Sequence, residues 1–269
     1  MEQEVTRKKV AGIPRLRFSR KFPIAFCQGC LHPLAGRAIA EAIDELGIEG
    51  DTVVVGGVGC HATIAGHLNL DVLLPGAGHG RAPDVATGAR RILGKRAILI
   101  TVQGDGDAMA IGTEPLIQAA ARGERLTVIM INNQVYGTTG GQLAPTTIIG
   151  HTTTTTPEGR KLAEGYPVHA AELLAKLKGV VYSARGALNN VRNFQRTKKY
   201  VRVAIQKQVD DLGLSFVEIL GNCPVAWRMT PVDSLRYLEE KLIPEFPLGE
   251  FKNLKRGELR GGKSSAETA

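Results

Sequence analysis

Gly104-Asp105-Gly106-Asp107 and Asn132-Asn133 are the residues of this 269-residue chain best suited to hold an ionic ligand. The first group follows the apolar run Ala97–Val102 and precedes an alanine-rich helical stretch, Ala108–Arg122. Small residues at a helix start let the backbone approach a phosphate, and free N–H groups with the helix dipole favour an anion. Asp105 would repel a bare diphosphate. A divalent cation removes that conflict, because a carboxylate can ligate Mg²⁺ while Mg²⁺ bridges to phosphate oxygens. The second group closes another apolar run, Leu126–Ile131, and the Asn133 side-chain oxygen with a backbone carbonyl just beyond completes an oxygen shell if the two strands are neighbours. Either group alone is an ordinary turn or a polar strand end. The strand–helix–strand unit between them makes the pair a candidate site.

Four cysteines form the second constellation: Cys27 and Cys30 in a C-x-x-C pair, Cys60 in Gly57-Val58-Gly59-Cys60, and Cys223. So few cysteines suggest thiol chemistry rather than a disulfide framework. Four thiolates suit tetrahedral zinc or a four-iron four-sulfur cluster. The long, irregular spacing matches neither a zinc ribbon nor a ferredoxin run, so zinc, a cluster and unrelated buried thiols all remain open. Cys60 follows the β-branched run Asp51–Gly56, whose end should share a sheet edge with Gly104. His79 follows a turn and either meets a ligand or caps a helix. Tyr136, Gly137 and Thr139 lie where a loop covering a diphosphate would run. His61 adjoins Cys60. His32, His67, His151 and His169 take structural readings, as do Trp227 and Met229.

The elements that position these residues read as α/β. Helix is expected from Leu34 to Leu46 with Gly47 as its stop, and from Ala82 to Leu93. Strands are expected at Asp51–Gly56, Asp71–Leu74, Ala97–Val102 and Leu126–Ile131. Continuous apolar strands of this kind suit a parallel sheet with helices on both faces. Gly137–Gly159, with the run Thr152–Thr156, reads as a long functional or disordered loop. Helix near His169–Leu177, strand Val180–Ser183, helix Val191–Val209, strand Ser215–Leu220 and helix Pro231–Leu242 follow. The domain should span 26–252, between a basic arm at 1–25 and a polar tail at 253–269.

Net charge is +8, but Lys and Arg are spread thinly and the aromatics form no stacking array among them, which disfavours nucleic acid. No apolar run has the length of a membrane helix. The first 25 residues lack a signal-peptide apolar core, so a cytoplasmic location is expected. No G-x-G-x-x-G links a strand to a helix, and there is no P-loop.

GDG followed by a helix, a strand and NN resembles the thiamine-diphosphate motif. The segments CQGC, GVGC and Cys223-Pro224, with GHGRAPDVATGARR (Gly78–Arg91), GDGDAMAIGT (Gly104–Thr113), INNQVYGTTGGQLAPTT (Ile131–Thr147) and the block Met229–Lys252, resemble the β subunits of 2-oxoacid:ferredoxin oxidoreductases. That resemblance implies the thiamine-diphosphate-binding fold of the diphosphate-binding type. It implies Mg²⁺ held by Asp105, Asn133 and the Val135 carbonyl. Gly59, Cys60, Gly104, Gly106, Asp107, Ala108, Tyr136, Gly137 and Thr139 would lie against the cofactor, and Cys27, Cys30, Cys60 and Cys223 would hold one 4Fe-4S cluster. The implied activity is oxidative decarboxylation of a 2-oxoacid, with 2-oxoisovalerate and 2-oxoglutarate foremost, to acyl-CoA, with electrons passed through the cluster to ferredoxin. A pyrimidine-binding α subunit, γ and ferredoxin-like δ subunits and coenzyme A are the implied partners. Gln28 stands where the family often has Pro, and His61 where it often has a small residue such as Ser, which alters the pocket beside the cofactor. The alternatives are a non-redox thiamine-dependent decarboxylase or synthase subunit with a structural zinc, and a zinc-stabilised scaffold or nucleic-acid-binding protein.

Overall fold

Val53, Val54 and Val55 face opposite sides of one sheet in turn, and the same alternation along its neighbours builds two apolar layers. The computed structural model describes residues 26–68, 70, 72–74 and 77–258. The expected arm, 1–25, and most of the expected tail lie outside those residues.

The strands are β1 (Thr52–Gly56), β2 (Val72–Leu74), β3 (Ile98–Gly104), β4 (Thr127–Asn132), β5 (Val135–Tyr136), β6 (Gln142–Leu143), β7 (Val180–Ala187), β8 (Leu214–Leu220) and β9 (Gly249–Asn253). Seven of them form a sheet in the order β2-β1-β3-β4-β8-β7-β9, and β5 with β6 makes a separate hairpin. The β1–β2, β1–β3, β3–β4, β4–β8 and β7–β8 pairs are parallel. Within the described seven-stranded sheet, β9 runs antiparallel, on the β7 edge.

The helices are α1 (His32–Leu46), α2 (Ala62–His67), α3 (Ala82–Leu93), α4 (Thr113–Ala121), α5 (Ala170–Ala175), α6 (Val191–Val209), α7 (Pro224–Trp227), α8 (Pro231–Tyr237) and α9 (Ile243–Glu245). Ile39 and Ile43 of α1, Ile64 of α2 and Val201 and Ile205 of α6 pack with Val54, Ile100 and Ile129 on one face. Ala86 of α3, Leu116 of α4 and Leu174 of α5 pack with Val53, Leu99 and Val128 on the other. Burying both faces makes these strands apolar throughout, as their sequences suggested. Gly47 ends α1 in the left-handed conformation, φ 65°, its N–H returning to Asp44.

Several expectations need correction. The stretch Ala108–Arg122 is not one helix: a wider π turn spans Asp107–Ile111, Gly112 breaks it, and α4 follows. Gly112 presses against Gly80, where a Cβ would strike the Gly80 Cα at 2.9 Å. Pro231–Leu242 likewise splits into α8 and a π turn at Leu238–Leu242. The strand expected at Val180–Ser183 continues to Ala187. The tail does not begin at 253, because Asn253 ends β9 and the Leu254 N–H donates to the Val181 carbonyl at 2.9 Å. Short helices α2 and α7 were not anticipated. Among the described residues no helix is long and apolar enough to cross a membrane.

Candidate cofactor and thiol site

Strand order reverses between β1 and β3: from β1 the chain goes to β2 on one side, then returns to β3 on the other. Loops leaving neighbouring strands in opposite directions open a crevice at their carboxyl ends, where open α/β sheets bind ligands. The loops after β1, β3 and β4 line a cavity of ≈ 190 Å³ there that opens to solvent. Its walls include Gly59, Cys60, Gly104, Asp105, Gly106, Asp107, Asn133, Val135, Tyr136, Gly137 and Thr139, with His32, His61, His79 and Thr138.

At one end, Asp105 is 1% exposed. Burial pushes its carboxyl up to about 7, against the stabilising donors Thr146 and the Gly106 backbone N–H. The Thr146 hydroxyl donates to Asp105 Oδ2. A buried carboxylate with so little compensation is a poor resting state and a good cation ligand. The next strand brings the other oxygens. Gln134 adopts a left-handed backbone, φ 65°, uncommon for a non-glycine residue. The turn is held by the Gln134 N–H donating to Asn132 Oδ1 at 3.1 Å and by the Thr147 hydroxyl on the Gln134 carbonyl. It sets Asn133 and Val135 on the same cavity wall, with Val135 N–H donating to Asn133 Oδ1 at 3.3 Å. Trp227 Nε1 fixes the Asn133 carbonyl at 3.1 Å.

Asp107 has a different task. Its Oδ1 accepts from the Gly80 N–H at 2.8 Å and the Val58 N–H at 3.2 Å, and lies 2.6 Å from His79 Nδ1; Gln103 Nε2 donates to Oδ2 at 2.7 Å. It therefore ties the loops after β1, β2 and β3 together and sets the His79 ring. The His61 Nε2 stands 3.8 Å from Asp107 Oδ2 and has no hydrogen-bond partner. Burial holds His61 neutral, its pKa near 4, despite the Asp107 charge. Glycines pack around the ring: a Cβ on Gly104 would lie 2.8 Å from His61 Nδ1, and one on Gly59 2.7 Å from its Cε1. A Cβ on Gly106 would collide with the Tyr136 ring, whose hydroxyl donates to the Gly106 carbonyl at 3.2 Å.

The thiols meet beyond the Gly137 side of the cavity. Gly137 would place a Cβ 3.4 Å from Cys223 Sγ and 3.8 Å from Cys60 Sγ. The Cys27 carbonyl accepts the Cys30 N–H at 3.1 Å, closing the C-x-x-C turn. Burial and then the neighbouring Cys223, Cys60 and Cys27 raise the Cys30 thiol to about 12, although the His32 backbone N–H opposes them. Burial, then Cys60, Cys27 and Asp105, raise Cys223 to about 11, with Ala226 N–H opposing. Four residues from three distant segments thus share one neighbourhood. Among the described residues no three of His, Cys, Asp and Glu close on one point as a single ion requires.

One expected site residue does not line the cavity. The Ala108 side chain packs in the apolar layer with Leu116 and Met109 rather than lining the cavity, because the π turn directs it to the core. Gln103, Gln134, Thr138 and Thr146 were missed, and His32 had been read as structural. None carries a local signal. Thr146 sits in the segment read as a loop, and its partner Asp105 is 41 residues away.

Residues 57–219 match the family described as thiamine pyrophosphate enzyme, C-terminal TPP binding domain. The ketoisovalerate oxidoreductase subunit VorA of Methanothermobacter thermautotrophicus is 41% identical over 229 residues, covering 85% of this chain and 47% of that protein. The 2-oxoglutarate synthase subunit KorB of Methanocaldococcus jannaschii is 32% identical over 259 residues, covering 92% of this chain and 88% of that protein. The chain therefore spans about half the length of the VorA relatives. The structure of 2-oxoglutarate:ferredoxin oxidoreductase from Magnetococcus marinus, with 2-oxoglutarate, coenzyme A and succinyl-CoA bound, has a TM-score of 0.74 at 21% identity, covering 90% of this chain and 85% of that one. At that identity the likeness is one of fold.

Proposed function

The chain belongs to the thiamine-pyrophosphate-binding subunits of the 2-oxoacid:ferredoxin oxidoreductase family, and we propose that it binds Mg²⁺–thiamine diphosphate and one 4Fe-4S cluster within an oxidoreductase that converts a 2-oxoacid to its acyl-CoA. The observation that carries this reading is the sharing of one cavity wall by Asp105, Asn133, Val135 and Cys60. When bound, the thiazolium supplies an electron sink for decarboxylation, and an iron–sulfur cluster accepts electrons singly.

The chain's own residues do the placing. Asp105, the Asn133 side chain and the Val135 carbonyl offer oxygens to Mg²⁺, and a dication removes the desolvation that raises Asp105. Gly104 and Gly106 leave room for a diphosphate against the backbone, since a Cβ at either would strike His61 or Tyr136. Asp107 accepts a hydrogen bond from His79 Nδ1–H, a tautomer that leaves Nε2 facing the cavity as an acceptor. Tyr136, Gly137 and Thr139 form the covering loop. Cys27, Cys30, Cys60 and Cys223 hold the cluster, whose extent suits thiols arranged around a volume rather than a point.

A branched-chain 2-oxoacid such as 2-oxoisovalerate is the favoured substrate. Val58, Ile131 and Val135 line the cavity, among the described residues no Lys or Arg does, and a second carboxylate would need its cation from elsewhere. The exposed rim at Val58, Thr138 and Thr139 is where an α subunit bearing the pyrimidine site would close the cavity. Ferredoxin, with γ and ferredoxin-like δ subunits, completes the proposed cytoplasmic assembly. Anaerobic purification with co-expressed partner subunits tests the reading. Near-stoichiometric thiamine, about four iron and four sulfide per chain, and CoA-dependent reduction of a low-potential acceptor by 2-oxoisovalerate are expected. Zinc in place of iron, or decarboxylation with no acceptor reduced, would favour the non-redox alternative.

A further inference from the structure

Two side chains on the cavity wall lie within hydrogen-bond distance of thiols. His32 Nδ1 lies 3.0 Å from Cys30 Sγ, and Thr138 Oγ1 lies 3.0 Å from Cys60 Sγ. His32 is 2% exposed, is reached from Leu31 at the start of α1, and its ring stacks on Phe26 at 6.1 Å. The same two residues line the proposed cofactor cavity. They therefore stand where the thiol quartet meets that cavity, each touching a different sulfur.

We infer that His32 and Thr138 are tuning residues that set the reduction potential of the cluster through hydrogen bonds to its Cys30 and Cys60 sulfurs. The inference rests on the cluster reading given above. One electron added to a cluster spreads negative charge onto its ligand sulfurs, with no bond made or broken and no proton moved. A fixed donor aimed at such a sulfur stabilises the reduced form more than the oxidised form, which makes reduction easier. The His32 contact is part-buried and the Thr138 contact is exposed, so water competes more for the second than for the first. His32 is the stronger of the two.

The test is a dithionite titration of the anaerobic complex with redox mediators, following the electron-paramagnetic-resonance signal of the reduced cluster. His32→Leu should shift the one-electron equilibrium about tenfold towards the oxidised form, ~59 mV more negative. His32→Asn, whose side-chain amide N–H takes the place of Nδ1–H, should return the midpoint to near wild type. Thr138→Val should move it the same way as His32→Leu by a smaller amount. A wild-type midpoint in His32→Leu, or an equal shift in His32→Asn and His32→Leu, would overturn the role of His32. If His32→Leu loses iron, Thr138→Val decides: an unshifted midpoint there overturns the inference. Absence of iron from the wild-type complex is a separate outcome, which removes the cluster itself and the tuning with it.

Discussion

Two buried charges on one sheet are treated in opposite ways. Arg185 on β7 is 0% exposed, yet Glu218 on β8 meets its Nε at 2.9 Å, Glu172 binds its other nitrogens, and the Phe246 and Phe251 rings flank it at 5.2 and 5.0 Å. Burial works against that guanidinium, but Glu218 and Glu172 hold its pKa above the usual value. Asn132 Nδ2 completes the group by donating to Glu218 Oε1 at 2.7 Å. Asp105, just past the end of β3, is equally buried and has no cationic partner among the described residues: its nearest support is a hydroxyl and backbone N–H groups. Complete pairing marks Arg185 as part of the scaffold. Incomplete pairing is what the proposed Mg²⁺ site asks of Asp105.

The largest expected effect lies on the scaffold side. Arg185→Leu strands Glu218 in the interior, and loss of one member of a buried pair costs about 3–5 kcal/mol. Urea unfolding should show that loss, and Arg185→Leu combined with Glu218→Gln should recover part of it, since Gln still accepts from Asn132. A single variant as stable as the parent would erase the contrast.

Asp105→Asn should do the reverse. The wild-type carboxyl titrates near 3.8 when unfolded and near 7 in the metal-free fold. Its contribution to stability is therefore complete below pH 3.8 and is lost as pH rises through about 7. The metal-free Asn variant should lack that decline and be more stable than wild type at pH 8. It should also bind Mg²⁺–thiamine diphosphate roughly 100-fold more weakly, ~2.7 kcal/mol, by calorimetry on the complex. Lower stability at pH 8 would mean that Asp105 is a structural group like Arg185.

The same contrast explains what the sequence made legible. Ala97–Val102 and Leu126–Ile131 read as strands because continuous apolar runs have few other uses, and Asp105 and Asn133 were legible because they sit at the ends of those runs. Arg185 was not, because Ala184-Arg185-Gly186 carries no strand signal and Arg usually lies on surfaces. Its strand exists because β8 pairs with it from Val180 to Ala187 and the ion cluster makes burial tolerable. The charged edge strand β9 was hidden for a similar reason. The π turn at Asp107–Ile111 follows from tertiary contacts: Asp107 is held by Val58, Gly80 and Gln103, which no local pattern announces. Thr146 meets a partner 41 residues away in sequence, and His32 is a common residue type that packing turns onto Cys30, so their roles appear only in three dimensions.

Thr146 gives the smallest and most selective test. Its hydroxyl is buried and donates to Asp105 Oδ2, which helps to fix the carboxylate. Thr146→Val keeps the shape and removes only that donor. Without it Asp105 should titrate above its present value of about 7, so the stability decline of the metal-free chain should extend to higher pH. Partners that orient a ligand typically change metal affinity about 10- to 100-fold, and the lower end is expected because the backbone N–H of Gly106 still supports the carboxylate. Cofactor affinity should thus fall about tenfold, ~1.4 kcal/mol, with global stability at pH 4 little changed. If affinity held steady while stability fell at every pH, Thr146 would belong with the scaffold, and the line between the two regions would have to be redrawn on the cavity side of Thr146.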